Sequence, residues 1–291
     1  MSKAEKPVDA ETEANPTRFT SRQAVSAAAA AAMGTHDLRH NFHISGLFDA
    51  DKITLTHTHY DRMIVGGAMP VNGSLKLGAI KPTGTKTLLE RRELVAVNIG
   101  GPGTVTVGQT THSLDARDMI YVGMGEEVSF TSDDAKTPAK FYLLSAPAHH
   151  AYPTKLLTVA NAKRLDLGSP ETSNERSIFQ FTTTIQTCQI VVGMTQLAKG
   201  SVWNTMPAHV HDRRMEVYLY FDLAETARVF HFLGEPHETR HIVMANEEAV
   251  LSPVWSIHSG CGTSNYAFIW AMAGDNVDYT DVDLVPIKDM R

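Results

Sequence analysis

The stretch Pro207-Ala208-His209-Val210-His211-Asp212-Arg213-Arg214-Met215-Glu216 decides how this chain is read. Histidines at i and i+2 point to the same side of a strand, whereas on a helix they would lie about 200° apart. His209 and His211 therefore predict a strand. Glu216 comes five residues after His211, an odd offset that would turn it to the opposite face of a continuous strand. A tight turn through Asp212-Arg213-Arg214 removes the conflict and lets an adjacent strand present the carboxylate beside the imidazoles. A fourth polar side chain, His258, follows in Pro253-Val254-Trp255-Ser256-Ile257-His258, at the expected end of a later strand.

Working outward, the same texture covers most of the chain. Short runs rich in Val, Ile, Thr, Tyr and Phe recur, among them KITLTHTHY (52–60), GTVTVG (103–108), EVSFTS (127–132), MEVYLYFDL (215–223) and YAFIWAMAG (266–274). Gly, Pro, Asp and Asn punctuate them, which is the pattern of an antiparallel sandwich or barrel. The chain is expected to be mainly β, with two tandem jelly-roll barrels and one short N-terminal helix. That helix is placed over Ser21–Met33 from its alanine run, with Gly34 as its stop. The polar segment 1–20 is expected to be a mobile tail, 21–150 the first barrel, 151–173 a proline-broken connection and 174–291 the second barrel. The halves echo each other: Arg91-Arg92-Glu93-Leu94-Val95 lines up with Arg213-Arg214-Met215-Glu216-Val217. Two copies suggest duplication, not a solenoid.

Composition narrows the function. The 291 residues carry a net charge of −6 and a pI near 6.1, without the clustered Lys and Arg that nucleic acid would require. The longest small-apolar run, Ala27–Met33, is far short of the ~20 residues of a membrane helix, and no signal peptide is expected. Two cysteines, Cys188 and Cys261, are too few for a disulfide framework and imply a reducing, cytoplasmic setting.

Three imidazoles and one carboxylate, spaced His-x-His-x4-Glu with a later Pro-x4-His, predict a divalent-metal site at His209, His211, Glu216 and His258. Zn, Fe, Mn, Ni and Co all suit that set. In the first copy the matching positions are Thr87, Leu89, Leu94 and Val128, so that half is expected to hold no metal. Glu93 would reach the place of Glu216 only through a one-residue slip, which would turn it to the other face. Two other patterns compete. His57-Thr58-His59 lacks the following carboxylate, with Ile64 in its place, and is expected to hold no metal. His237-Glu238-Thr239-Arg240-His241 matches the helical zinc-protease string, but Pro236 and the strand-like residues after it leave little room for a helix.

The metal pattern resembles the cupin superfamily, whose motifs are Gly, His-x-His and Glu, then Pro-x-Gly-x-x-His. Gly200 and Pro253 fit; Trp255 replaces the second motif's Gly, and Gly262 stands where Asn often follows. From about Ser21 onward the chain also looks like the 5-keto-4-deoxyuronate isomerase (4-deoxy-L-threo-5-hexosulose-uronate ketol-isomerase) family. YDRMIVGGAMPV (60–71), LERRELVAVNIGGPGTVTV (89–107), WNTMPAHVHDRRMEVYLYF (203–221) and ETRHIVMANEEAVLSPVWSIHSG (238–260) carry that resemblance. It implies two barrels with zinc in the second on the same four residues, a homohexamer, and a uronate substrate. The implied reaction turns 5-dehydro-4-deoxy-D-glucuronate into 3-deoxy-D-glycero-2,5-hexodiulosonate during pectin or polyuronate breakdown.

An aldose–ketose isomerase of a sugar acid wants a metal at the carbonyl, a proton shuttle and a cation for the carboxylate. Arg213, Arg214 and Lys155 are candidates for the cation, and His149 is a further candidate at the junction of the halves. Trp203, Met206, Tyr218 and Trp270 are candidates for the pocket wall, each with a core role as its alternative. An Fe(II) dioxygenase and a non-enzymatic sugar-acid-binding bicupin are the competing readings.

Overall fold

In a computed structural model the described residues are 16–275, 277 and 281–291. They form two seven-stranded sheets, two four-stranded sheets and a small two-stranded ribbon. The first large sheet runs in spatial order Thr17–Arg22, Ile53–Thr58, Ile64–Ala68, Phe141–Pro147, Arg92–Asn98, Met119–Val122, Lys155–Leu157. The second runs Lys163–Leu167, Arg176–Gln180, Val191–Leu197, Ala267–Gly274, Arg214–Phe221, Glu248–Ser252, His43–Ile44. Each large sheet faces a four-stranded partner, so the expected barrels are open sandwiches and not rings closed by hydrogen bonds. The repeated motifs occupy matching places. Arg92–Asn98 and Arg214–Phe221 are each fifth in order, with Arg92 opposite Pro147 and Arg214 opposite Gly274.

Strand alternation sorts the apolar side chains into two groups. Ile53, Leu55, Leu94, Ala96, Val105, Phe130 and Phe141 fill the interior of the first sheet pair. The opposite face of that sheet, with Met63, Val65, Val95, Val97 and Leu144, joins Met215, Val217, Leu219, Ala271 and Ala273 in one cluster. The two large sheets thus pack against each other, and each fully buried aliphatic side chain contributes about 1.5–3 kcal/mol. Buried polar staples fix the contact. Glu93 Oε1 accepts from the amides of Gln189 (2.7 Å) and Ile190 (2.8 Å), while Oε2 accepts from that of Cys188 (2.7 Å) and from the Tyr121 hydroxyl (2.8 Å). In return, Asp61 Oδ2 accepts from the Met215 amide at 2.8 Å.

Several boundaries differ from the sequence reading. Residues 1–15 of the expected tail lie outside the described residues, but Thr17–Arg22 is a strand, paired in parallel with Ile53–Thr58. Its polar side chains misled because the strand lies at a sheet edge, with Arg18–Ser21 exposed. The single expected helix is a short one, Ala27–Ala31, capped by Ser26, followed by a second, Thr35–Phe42, for which Gly34 is the N-cap and not merely a stop. His43–Ile44 then crosses to pair with Glu248–Ser252 in the second large sheet. The segment 151–173, expected as connection, supplies Lys155–Leu157 to the first sheet and Lys163–Leu167 to the second. No helix among the described residues is long and apolar enough to cross a membrane. Both cysteines are free.

Candidate metal centre and its pocket

The strand–turn–strand expected around the histidines is present. His209–Val210 forms a short strand paired with Asp283–Leu284, a bend covers Asp212 and Arg213, and Arg214–Phe221 begins the next strand. Arg214, Glu216, Tyr218 and Tyr220 share one face of that strand, so Glu216 turns back towards the histidines. His258 lies just before the strand Ser259–Gly262, in the turn that follows Glu248–Ser252, and not at a strand end as expected.

One ligand atom from each of His209, His211, Glu216 and His258 lies within 4.8 Å of the others. Glu216 Oε2 is 3.1 Å from His211 Nε2 and 2.8 Å from His258 Nε2, and the Nε2 atoms of His209 and His258 are 2.9 Å apart. Four donors around an ion at ~2.1 Å would be separated by about 3.4 Å, so a small outward relaxation makes room for one. The Nδ1 atoms of His209 and His258 are buried without a hydrogen-bond partner. His211 is oriented from behind: its Nδ1 is 2.8 Å from the Asp281 carbonyl oxygen and 3.5 Å from Asp281 Oδ1. Such outer contacts fix the tautomer that leaves Nε2 free to bind.

The electrostatics suit a cation. Burial, then the neighbouring His258, hold the His209 pKa down to about 2, so its imidazole stays neutral. Burial raises the Glu216 pKa, but His258 and His211 outweigh it and keep the group anionic. Burial opposes protonation of His211 too, and the hydrogen bond to Glu216 reverses the balance. Imidazoles and a carboxylate are the donors a borderline divalent ion prefers.

His209, His211 and Glu216 line a cavity of about 170 Å³. Tyr218 and Trp270 line it, as the sequence suggested. Trp203 instead stacks on Phe232, with ring centroids 6.0 Å apart, and Met206 is not on the pocket wall. Burial, then the Glu216 charge, push the Tyr218 phenol well above its ordinary range, and its hydroxyl lies 3.1 Å from Thr205 Oγ1. Gln180, Asn204 and Thr205 add neutral polar groups to the lining.

None of the four cation and proton-shuttle candidates lines this cavity. Arg214 has the right strand phase but is buried and tied to Asp281, Nη2 to Oδ1 at 2.5 Å. Arg213 and His149 are exposed, and Lys155 lies exposed on the edge strand of the first large sheet. The Lys or Arg that does line it among the described residues is Arg176, which the sequence reading missed. Its signal is the alternation Arg176, Ile178, Gln180 in one strand, all three on the pocket wall.

His57 is buried in a strand, and burial, then Arg92, lower its pKa to about 4. No carboxylate joins His57 and His59 in a ligand group among the described residues. His237 lies in a turn and His241 on the strand Glu238–Met244, so no helix brings them to one ion. The motif departure at Trp255 also has a cause. Its indole Nε1 donates to the Val25 carbonyl at 3.1 Å, and the ring packs edge-on against Phe42. At Gly262 a Cβ would meet the Ser264 carbonyl oxygen at 2.5 Å, leaving no space for a larger residue.

Residues 46–285 match the model of the KduI/IolB family. The chain is 67% identical over 275 residues to 4-deoxy-L-threo-5-hexosulose-uronate ketol-isomerase 2 of Rhizobium meliloti, covering 94% of this chain and 98% of that one. It is 56% identical to the ketol-isomerase of Cereibacter sphaeroides (strain ATCC 17025), covering 94% and 100%. Among solved structures it resembles an IolB-like protein from Salmonella typhimurium LT2 (TM-score 0.63, 14% identity, 77% and 87% covered). It also resembles the oxalate decarboxylase of Lactobacillus farciminis (TM-score 0.53, 11% identity, 76% and 79% covered), and these two likenesses speak for a cupin-type fold. With residues 46–285 matched by the family model and relatives 56–67% identical over 94% of its length, the chain belongs to the KduI/IolB family.

Proposed function

We propose that this chain is a metal-dependent ketol-isomerase that converts 5-dehydro-4-deoxy-D-glucuronate into 3-deoxy-D-glycero-2,5-hexodiulosonate, a step in pectin or polyuronate breakdown. The observation that carries the reading is the convergence of His209, His211, Glu216 and His258 on one point, with the first three on the wall of a small-molecule cavity. The near full-length identity to proteins named as that isomerase supports the choice of reaction. One divalent ion per chain, zinc by family resemblance, would supply Lewis-acid polarisation of the C1 carbonyl and the C2 hydroxyl.

The reaction moves hydrogen within one molecule and needs no oxidant. The hydrogen on C2 ends on C1, and the proton of the C2 hydroxyl ends on the former aldehyde oxygen. His209, His211, Glu216 and His258 would hold the ion towards which those oxygens turn. Tyr218, kept protonated by burial, stands with Thr205 on the same wall and can hold a proton during the exchange between the two oxygens. Phe268, Trp270 and Met272, on the strand paired beside Glu216 and Tyr218, add apolar lining that excludes water. Glu216 is the carboxylate among the described lining residues, and its two imidazole contacts commit it to the donor set.

The assembly proposed with this reading is a homohexamer and the location the cytoplasm, where two free thiols stay reduced. The exposed edge strand Thr17–Arg22 with Phe19, together with exposed Leu156 and Leu167, offers surface for contacts between copies. The test is incubation with freshly made 4-deoxy-5-keto-uronate, with and without chelator, followed by NMR. Chelator-sensitive formation of the 2,5-diketo acid under anaerobic conditions is the expected result. Failure of the metal-loaded protein to convert it would refute the isomerase, and oxygen uptake in its place would point to a dioxygenase.

A further inference from the structure

We propose that Arg176 is the group that receives the carboxylate of the sugar acid, so that the substrate lies with its acid end at Arg176 and its C1–C2 end at the four-donor cluster. This rests on the isomerase reading and adds to it the residue that selects acids over neutral sugars. Three observations carry it.

Arg176 is the one Lys or Arg on the cavity wall among the described residues, and it shares its strand face with Ile178 and Gln180. Nη1 donates to the Asn174 carbonyl at 2.9 Å, while Nε is buried with no hydrogen-bond partner. No carboxylate pairs with it among the described residues; neighbouring Asp166 is taken by Arg164 Nε at 3.0 Å and Ser177 Oγ at 2.6 Å. A half-buried guanidinium without an anion is costly, and burial pulls its pKa down. Arg214 shows the alternative: a buried arginine that is structural here has its own aspartate. A bound carboxylate would give Arg176 what Asp281 gives Arg214.

Tyr218 neighbours both ends: its ring is 5.5 Å from that of His258, the charges of Glu216 and Arg176 both act on its phenol, and it lines the same cavity as Arg176. From C2 to the carboxylate carbon an extended sugar acid spans about 5 Å, four C–C bonds of ~1.5 Å each along a zigzag. Reversing the molecule would put the carboxylate against Glu216, which is already anionic.

The experiment compares wild type with Arg176→Gln and Arg176→Lys, using 4-deoxy-5-keto-uronate and its C6 carboxamide. For the acid, kcat/KM of Arg176→Gln should fall about 10- to 100-fold, mostly through KM, the loss expected of a charge-assisted pair. Preference for acid over carboxamide should collapse towards one, Arg176→Lys should keep part of it, and metal content should stay at the wild-type level. Unchanged KM and preference in Arg176→Gln would overturn the proposal. So would loss of metal and a lowered Tm in both variants with the preference intact, because the arginine would then be holding the wall. If wild type fails to turn over the uronate, the isomerase reading falls separately. Calorimetric binding of galacturonate against galactose, to wild type and Arg176→Gln, then decides the arginine on its own: wild type alone should favour the acid.

Discussion

Replacing Gly193 with alanine should damage the pocket while leaving the metal donors in place. Gly193 lies in the strand Val191–Leu197 directly opposite Trp270, whose indole covers it. A Cβ built there would sit 2.5 Å from Trp270 Cε2 and closer still to Cζ2 and Cη2, where carbon atoms normally meet at about 3.5–4.0 Å. The indole must therefore move. Overpacking of this kind costs about 1–3 kcal/mol. The Trp270 Nε1 bond to Thr195 Oγ1, 3.1 Å long and buried, is strained by the same shift and adds about 0.5–1.5 kcal/mol. A total of about 2–4 kcal/mol corresponds to a fall in Tm of about 3–7 °C for a chain of this size. Trp270 also lines the cavity, so kcat/KM should drop at least tenfold with metal content unchanged. Thermal melts, metal analysis and steady-state kinetics read these three quantities. Combining Gly193→Ala with Trp270→Leu should recover most of the lost Tm, since the smaller side chain vacates the space. A Gly193→Ala protein with wild-type Tm and activity would refute the packing argument.

Three further outcomes follow from the same geometry. His258→Ala should lose the bound divalent ion and all conversion, whereas His57→Ala should keep wild-type metal content; elemental analysis of both proteins checks this. Glu93→Leu should lower stability by about 3 kcal/mol or more through loss of three amide bonds and the Tyr121 bond, seen as a lower Tm, again with metal retained. In metal-stripped protein, buried His231 should make stability depend on pH: burial, then His258, hold its pKa down to about 3 against an ordinary 6.5. Below pH 6.5 the unfolded chain takes up a proton that the folded one refuses, so stability falls on acidification from about 6.5 to 3 and is insensitive to this group above that window. Denaturant titrations of wild type and His231→Gln should show a shallower slope in the variant.

Much of the candidate metal site could be read in the sequence because it is built from local spacing. His-x-His fixes a strand face, and the bend at Asp212 and Arg213 accounts for the odd offset of Glu216. What escaped reading depends on distant contacts. Asp281 reaches His211 across 70 residues, and nothing near Asp281 announces it. Arg176 carries an alternation that marks a strand face, but the sequence does not say which face meets the cavity. Arg214 misled for the complementary reason: its phase is right, and only the contact with Asp281 shows its charge to be neutralised internally. At the N-terminus, polar Thr17–Arg22 looked like tail, and the crossing of His43–Ile44 into the second sheet has no local signature.

The contrast between Glu93 and Glu216 explains why one half carries the site. Both lie at the start of the fifth strand of a large sheet, one residue out of phase with each other when the arginine pairs are aligned. Because faces alternate along a strand, that single step decides their roles. Glu216 points between its two sheets, where His209, His211 and His258 meet it. Glu93 points the other way, into the contact between the halves, where three amides and a phenol satisfy it. Leu94 takes the inward position in the first half and belongs to an apolar core that includes Leu89. Putting a carboxylate at Leu94 alone would bury an unpaired charge, because the histidine positions there are Thr87, Leu89 and Val128. The first half is therefore committed to packing, and its own glutamate holds the loop that leads into Val191–Leu197, the strand that carries Gly193 beneath Trp270 on the pocket wall.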